Sequence, residues 1–197
     1  MNIELQKEIE HLKLLFAFVS KPFPNIKGAT DDEIGHIRDV TGLDLNGDII
    51  DFYQFMNGSN REEIFAVFSD EETPCEFLSI ESALDAWGIK LSDIDGYYDS
   101  INEQYDDYEV DPPRDKRIRQ DVWMNKRWFP FADFNGGGTR VYWDADPTPL
   151  GKVGQIIVYQ HDPDGIYYVA EDFVTFLKKS NDLFEGNPRD LLEGIYD

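Results

Sequence analysis

Side chains that commonly carry enzyme chemistry are scarce in this sequence. The three histidines, His11, His36 and His161, stand at none of the spacings that typically place two imidazoles on one metal ion. The sequence holds no Gly-x-Ser-x-Gly nucleophile elbow. Its single cysteine, Cys75, has no histidine nearby in the chain, so we expect a buried and unreactive thiol rather than a nucleophile.

The run Gly136-Gly137-Gly138 has the composition of a phosphate-binding loop but lacks its context. A Walker-type loop needs a following Lys-Ser/Thr pair and a helix. Here the residues Thr139-Arg140-Val141-Tyr142-Trp143 follow, and their composition is typical of a strand. We predict that the glycines form a tight turn between two strands, with positive φ angles.

The run Asp162-Pro163-Asp164-Gly165 shares part of a calcium-loop pattern, because Glu171 then falls at the position of the bidentate ligand. However, Gln160 stands where the first aspartate should be, and both flanks have strand composition rather than helix composition. Pro-Asp-Gly between two hydrophobic runs is typical of a turn. We therefore predict a hairpin at this point, with no metal ion and no other cofactor.

The charge balance is strongly acidic, with 40 Asp and Glu residues against 18 Lys and Arg residues and a formal net charge of −22. Such a field repels the phosphates of nucleic acids and anionic membrane surfaces, so neither is an expected partner. It attracts a basic protein and speeds the encounter with it. The alternative interpretation is that the acidity only keeps the protein soluble.

The length of 197 residues suits one compact domain, and a hydrophobic content of 41% can fill its core. A single cysteine excludes an intramolecular disulfide and fits a reducing compartment. The apolar run at residues 12–19 is too short to cross a bilayer. Glu4, Glu8 and Glu10 precede it where a signal peptide carries basic residues. We therefore expect a soluble, cytoplasmic protein.

Hydrophobic periodicity and turn residues predict an α+β fold in a single domain over residues 1–197. We predict helices over residues 3–19, 30–42, 48–57, 79–88 and 171–183. We predict strands over residues 64–68, 76–78, 128–134, 140–143, 155–160 and 166–169. The N-terminal helices should pack on a mostly antiparallel sheet, which a C-terminal helix follows. Five side chains should be largely buried: Trp128, Phe131, Val141, Ile157 and Phe173.

An acidic, tyrosine-rich insert at about residues 89–119 interrupts this outline, and basic residues form its C-terminal end. One interpretation is a solvated acidic segment that pairs locally with its own basic end. The other is a protein-binding surface, because tyrosine supplies rigid, amphipathic contact area. On the second interpretation, the predicted contact residues are Tyr97, Tyr98, Asp99, Tyr105, Asp106, Asp107 and Tyr108.

A set of ordered motifs runs from Trp123 to Leu177. Its main parts are Trp128-Phe129-Pro130-Phe131-Ala132-Asp133, the triple glycine, an Asp144-x-Asp146-Pro147 turn and Val153-Gly154-Gln155-Ile156-Ile157. In their order and spacing these motifs resemble the SUKH superfamily. The resemblance covers about residues 26–180 but omits the insert, where the family has a shorter connection. The signature residues expected to serve the architecture are Trp123, Trp128, Pro130, Asp133, Gly136, Gly137, Gly138, Asp144, Pro147, Gly154 and Phe173.

The resemblance implies a non-catalytic, protein-binding function. Bacterial members of the superfamily include immunity proteins that neutralise toxins, often nucleases, and an acidic inhibitor suits a basic nuclease encoded nearby. Fungal members are cell-wall synthesis regulators, so a regulatory scaffold is the alternative function. A hydrolase with paired carboxylates is a third hypothesis, but in so acidic a chain any such pair is a weak indication.

Overall fold

The computed structural model describes residues 1–68, 72–105 and 114–193 of the chain. Within these ranges there are seven helices: α1 (Ile3–Phe18), α2 (Asp31–Thr41), α3 (Asp48–Phe55), α4 (Ile80–Trp87), α5 (Ile94–Gln104), α6 (Phe173–Gly186) and α7 (Pro188–Glu193). They flank six strands: β1 (Glu63–Phe68), β2 (Glu72–Phe77), β3 (Trp128–Phe134), β4 (Thr139–Asp144), β5 (Gln155–Gln160) and β6 (Gly165–Ala170). The predicted α+β fold, with helices before and after a central sheet, is confirmed.

The helices begin where the sequence supplies caps. The Thr30 hydroxyl accepts a hydrogen bond from the Glu33 backbone N–H, and the Glu33 carboxylate accepts one from the Thr30 N–H, which is a complete capping box for α2. Ser79 caps α4 and Asp172 caps α6 in the same way, through their side-chain oxygens. Local hydrogen bonds therefore define these helix starts independently of packing.

The six strands form one antiparallel sheet in which the spatial order follows the chain order. The pairing of β2 with β3 is short, because only Glu76 and Phe77 have partners, Asp133 and Ala132. The β3 to β6 half is longer and continuous. The sheet thus has a narrow half that carries β1 and β2 and a broad half that carries the family signature.

The main core lies between one face of the sheet and the helices α1, α3, α4 and α6. Its centre is a cluster of phenylalanine rings whose centroids lie 5.1–6.1 Å apart, in tilted or edge-to-face geometry. The members of this cluster are Phe52, Phe65, Phe77, Phe131, Phe173 and Phe176.

The broad half of the sheet is buried on its other face as well. A second apolar cluster consists of Ile118, Trp128, Tyr142, Ile157 and Ile166. Four of these residues are strand residues whose neighbours in sequence point into the main core, as the period-2 alternation of a strand requires. The fifth, Ile118, belongs to the insert. Through Ile118, the insert therefore covers part of the second face of the sheet.

The burial predicted for five core side chains is confirmed, because none of them exposes more than 3% of its surface. The triple glycine forms the β3–β4 turn, and Gly136 and Gly137 have φ angles of 67° and 105°. This confirms the prediction of a turn, since side chains at these φ values would be strained. The predicted hairpin at Asp162 to Gly165 is confirmed too, because β5 ends at Gln160 and β6 begins at Gly165.

Candidate protein-binding site

The insert begins with α5, which is tied to the rest of the molecule by polar contacts. The Tyr98 hydroxyl donates to the carbonyl of Trp87 at 3.3 Å, and the Tyr98 side chain is only 8% exposed. The Asn102 side chain accepts from the backbone N–H groups of Trp123 and Met124, and it donates to the carbonyl of Met124 at 3.0 Å. An amide that makes three such bonds fixes the helix against the segment before β3.

Beyond α5, the insert is held by a stack on the signature residue Trp123. The Tyr105 ring lies parallel to the Trp123 indole, with ring centroids 4.6 Å apart and planes inclined by 8°. The Arg114 guanidinium lies 5.3 Å from the same ring and donates to the carbonyls of Arg119 and Val122. Burial lowers the pKa of Arg114 to about 10, so it still carries its charge at neutral pH. Tyr105 and Arg114 are therefore both held against the Trp123 ring.

Asp164, in the β5–β6 hairpin, connects that hairpin to the insert. Its carboxylate accepts hydrogen bonds from the hydroxyls of Tyr159 at 2.7 Å and Tyr105 at 3.2 Å, and it lies 2.9 Å from Nδ1 of His161. Burial opposes ionisation of Asp164, but these three bonds outweigh it and lower its pKa. The same carboxylate raises the pKa of His161. An ionised Asp164 thus has three hydrogen-bond partners inside the fold.

The basic end of the insert pairs with acidic residues on several elements. Arg117 bonds to Asp115 at 2.7 Å, within the insert itself. Arg119 bonds to Asp121 and, at 3.1 Å, to Asp146 in the turn after β4. Part of the charge of the insert is therefore paired locally, as the first interpretation predicted, and the Arg119–Asp146 pair also ties the insert to the turn after β4.

The structure describes four of the seven predicted contact residues, and it separates these four into exposed and buried or half-buried side chains. Tyr97 is 48% exposed and Asp99 is exposed, so both can meet a partner. Tyr98 is buried and Tyr105 is half-buried in the Trp123 stack, so these two tyrosines position the insert. The remaining three, Asp106, Asp107 and Tyr108, lie outside the described residues.

The signature residues lie at packing and turn positions of the sheet. Trp128 and Phe173 belong to the two apolar clusters, and Pro130 lies beside an irregularity in the β3–β4 pairing. Gly154 has φ 90°, and its Cα faces the Trp143 indole so closely that an added Cβ would lie 3.1 Å from the ring nitrogen. Pro147 closes the turn after Asp144, and Gly138 precedes β4.

A family model described as SMI1 / KNR4 family (SUKH-1) matches residues 28–179, well over half of the chain. The chain belongs to the SMI1/KNR4 family. This confirms the resemblance to the SUKH superfamily that the signature motifs indicated. The family is generally non-catalytic and includes immunity proteins. No curated protein is similar enough in sequence to be matched with this chain.

Two signature aspartates of this SUKH-1 chain are buried and hydrogen-bonded. Asp133, 4% exposed, bonds to Nε of Arg140 at 2.7 Å and accepts from the backbone N–H of Gly137. Asp144 is fully buried and accepts from the Asp146 N–H and from the Gln155 side chain, both at 2.8 Å. Both carboxylates therefore have partners within the fold, which is typical of a structural role.

A row of charged side chains crosses the narrow half of the sheet. Glu63 pairs in register with Glu76, Glu76 with Asp133, and Asp133 with Arg140. The three carboxylates, Glu63, Glu76 and Asp133, line a shallow cleft of ≈ 510 Å³ together with Arg61. Burial raises the pKa of Glu63 and of Glu76, and the charge of Asp133 adds to the effect on Glu76. Sequence reasoning missed this row, because the residues come from four separate segments.

The described residues give no indication of a reactive cysteine, a metal site or a membrane-spanning helix. Cys75 is buried, and burial raises the pKa of its thiol, which keeps it protonated and unreactive. Across the described part of the chain, no three His, Cys, Asp or Glu side chains are arranged to hold a metal ion. In the same residues, no helix combines the length and the hydropathy that crossing a bilayer requires.

Proposed function

We propose that this SUKH-1 chain is a non-catalytic inhibitor that acts in the cytoplasm by binding a basic protein. The observation that carries the proposal is the insert: it is acidic, it is fastened to Trp123, before β3, by Asn102, Tyr105 and Arg114, and it leaves Tyr97 and Asp99 at the surface. A fastened surface loses little conformational entropy when it binds, which favours affinity.

Electrostatics and family membership support an immunity function. The cleft of a nuclease is built to attract phosphates, so it is positively charged, and a chain of net charge −22 is drawn to it. Opposite charges speed association more than they increase affinity, and speed matters for a protein that must intercept a toxin. The family includes immunity proteins, which makes toxin neutralisation the function that we propose first.

The proposed contact face comprises the exposed Tyr97 and Asp99, together with Asp106, Asp107 and Tyr108. The tyrosines would anchor the complex, and the carboxylates would steer the approach and set the orientation. In this arrangement Tyr98 and Tyr105 support the face from below, because both are committed to intramolecular contacts.

The proposal is tested by measuring binding kinetics against the protein encoded beside this gene, over a series of salt concentrations. Changing Asp106 and Asp107 to Asn should slow association about threefold to tenfold at low salt and less at high salt, where charges are screened. Tyr97→Ala should instead speed dissociation, since it removes an anchor. Changing Glu4 and Glu10 together to Gln neutralises two exposed carboxylates on α1; it is the charge-matched control and should change neither rate much.

Tyr105 provides a further comparison in the same assay. Tyr105→Ala loses the stack on Trp123 and the bond to Asp164, so it should speed dissociation by loosening the face. Tyr105→Phe keeps the stack and should bind nearly as the wild type does. Association that is independent of salt would contradict the electrostatic argument. A partner whose activity is unchanged on binding would favour a regulatory scaffold over an inhibitor.

A further inference from the structure

A groove between α2 and α4 lies outside the proposed contact face. Its volume is ≈ 420 Å³. The accessible apolar part is mainly Ile89, which follows α4 and is 37% exposed, and beneath it lie Ile80 and Leu84 of α4, each only 3% exposed. Carboxylates of Glu33 and Glu81 lie at its edge. The groove thus combines an aliphatic floor with an acidic rim.

The walls of the groove are fixed by hydrogen bonds and by a close backbone approach. Asn57 accepts from the Ile80 N–H at 2.9 Å and donates to Oε1 of Glu33 at 3.2 Å, so one side chain joins both walls. Gly58, with φ 86°, lies so close to Ser79 that an added Cβ would be 2.6 Å from its nitrogen. A ligand would therefore meet a groove that already has its bound shape.

The charged side chains at the rim determine which sign of charge a bound segment should carry. Glu33, Glu81 and Asp85 supply three carboxylates, and Lys90, which bonds to Asp85, supplies a single ammonium group. A second copy of the chain would bring the same acidic patch in an isologous dimer, so like charges would face each other. A cationic segment would meet complementary charge instead.

We infer that this groove binds a short segment of a basic protein partner, with one aliphatic or aromatic side chain against Ile89, above the buried Ile80 and Leu84, and a flanking Lys or Arg against Glu81 or Glu33. The inference rests on the proposed function, and it adds a second contact region with different chemistry. The insert supplies aromatic anchors and steering charge, whereas the groove supplies a pocket for an apolar anchor.

The test uses short synthetic peptides and amide chemical-shift mapping on the full-length, ¹⁵N-labelled protein. The first peptide is amphipathic and built from Lys and Leu, the second has Glu in place of Lys, and the third has Ser in place of Leu. The first should shift the amides around Ile80, Leu84 and Ile89 in a saturable way. The second should not bind, because its charge is repelled. The third should produce only weak shifts spread over the acidic surface, because it lacks the apolar anchor.

Two variants with matched controls locate the site. Ile89→Ser should weaken binding of the Lys–Leu peptide about tenfold, the size expected for one apolar anchor. Glu81→Gln should weaken it about twofold, with the difference disappearing at high salt, as expected for a charge at the rim. Leu150→Ser, an aliphatic side chain that is 70% exposed elsewhere, and Glu10→Gln should both bind as the wild type does.

Several results would overturn the inference. Equal binding of the Ser-containing peptide would show that charge alone acts, and unchanged affinity of Ile89→Ser would place the peptide elsewhere. Concentration-dependent shifts of the groove amides without any peptide would assign the groove to a second copy of the chain. A protein partner that binds normally to Ile89→Ser and Glu81→Gln would refute the groove while leaving the proposed function intact. A protein that inhibits no partner would refute the proposed function, and the peptide titration would still decide the groove.

Discussion

At the scale of single residues, Asp144 is an example of a signature residue with a structural role. Its carboxylate organises the turn after β4, and Gln155, which donates to it, also donates to the carbonyl of Arg117 in the insert at 3.0 Å. One buried group therefore connects the sheet to its cover. Burial is the main reason that the pKa of Asp144 is raised to about 6.

The raised pKa predicts a specific pH dependence of stability. Unfolded Asp has a pKa of about 3.9, so between about pH 4 and pH 6 the folded protein holds a proton that the unfolded chain releases. This group therefore lowers the free energy of unfolding as pH rises through that window, by roughly 2–3 kcal/mol in total. Asp144→Asn removes this dependence. Urea denaturation between pH 4 and pH 6 should show that the free energy of unfolding of Asp144→Asn increases relative to that of the wild type as pH rises. Parallel pH dependences of the two proteins would contradict the raised pKa of Asp144.

The adjacent tyrosines of α5 show what the sequence can and cannot predict about the site. The sequence shows the insert and its tyrosine-rich composition, and the prediction of contact residues was based on these two features. However, Tyr97 and Tyr98 point about 100° apart on a helix, so only one of them can face the sheet. Which one does so depends on the position of Trp87, to which Tyr98 bonds, and no local pattern encodes that position.

At the scale of elements, helices and strands were predicted best where local signals agree. β3 and β5 have the predicted bounds, and α2 begins at its predicted capping box. By contrast, β2 begins at Glu72, whereas the prediction began at residue 76. The prediction missed the first part of this strand because a proline, Pro74, is unusual within a strand. In the structure Pro74 pairs with Ala66 of β1, and β3 does not reach it, so no ladder bond is lost on that side.

The same element contains an unfavourable charge arrangement. Glu76 lies directly opposite Glu63 on β1 and opposite Asp133 on β3, and like charges across a strand pair destabilise a sheet. Arg140 compensates for Asp133 through their 2.7 Å ion pair, but the two glutamates have raised pKa values. The narrow half of the sheet therefore contains repulsion that a substitution can relieve.

Glu76→Gln should stabilise the protein at neutral pH by about 0.5–1 kcal/mol, the size of one unfavourable cross-strand pair. The amide oxygen can still accept from the backbone of Arg61, as the carboxylate does. The gain should shrink as pH falls through the raised pKa of Glu76, because the side chain at position 76 is then neutral in the wild type as well as in the variant. Glu72→Gln, an exposed carboxylate on the same strand, is the control and should change stability little. Loss of stability in Glu76→Gln by thermal denaturation would show that the carboxylate is a net favourable partner.

At the scale of the whole molecule, the insert is part of the fold rather than an appendage. It contributes Ile118 to the second apolar cluster, it stacks on Trp123, and its Arg117 lies 3.2 Å from the ring centre of Tyr168. A sheet whose broad half is apolar on both faces needs such a cover. The segment that departs most from the family pattern thus completes the core and also carries the proposed contact face.

The net charge of −22 should make the stability of this molecule rise with salt at neutral pH, because screening weakens self-repulsion among surplus carboxylates. Screening also weakens ion pairs, but pairs such as Lys7–Glu4 are exposed and contribute little. The largely buried Arg140–Asp133 pair is screened much less. Repulsion therefore dominates, and the melting temperature should rise by about 2–4 °C, equivalent to roughly 1 kcal/mol, between low and physiological salt. Sodium chloride and choline chloride should act equally if the effect is screening. A larger effect of sodium would indicate cation binding, and a fall in melting temperature with both salts would show that ion pairs outweigh the net charge.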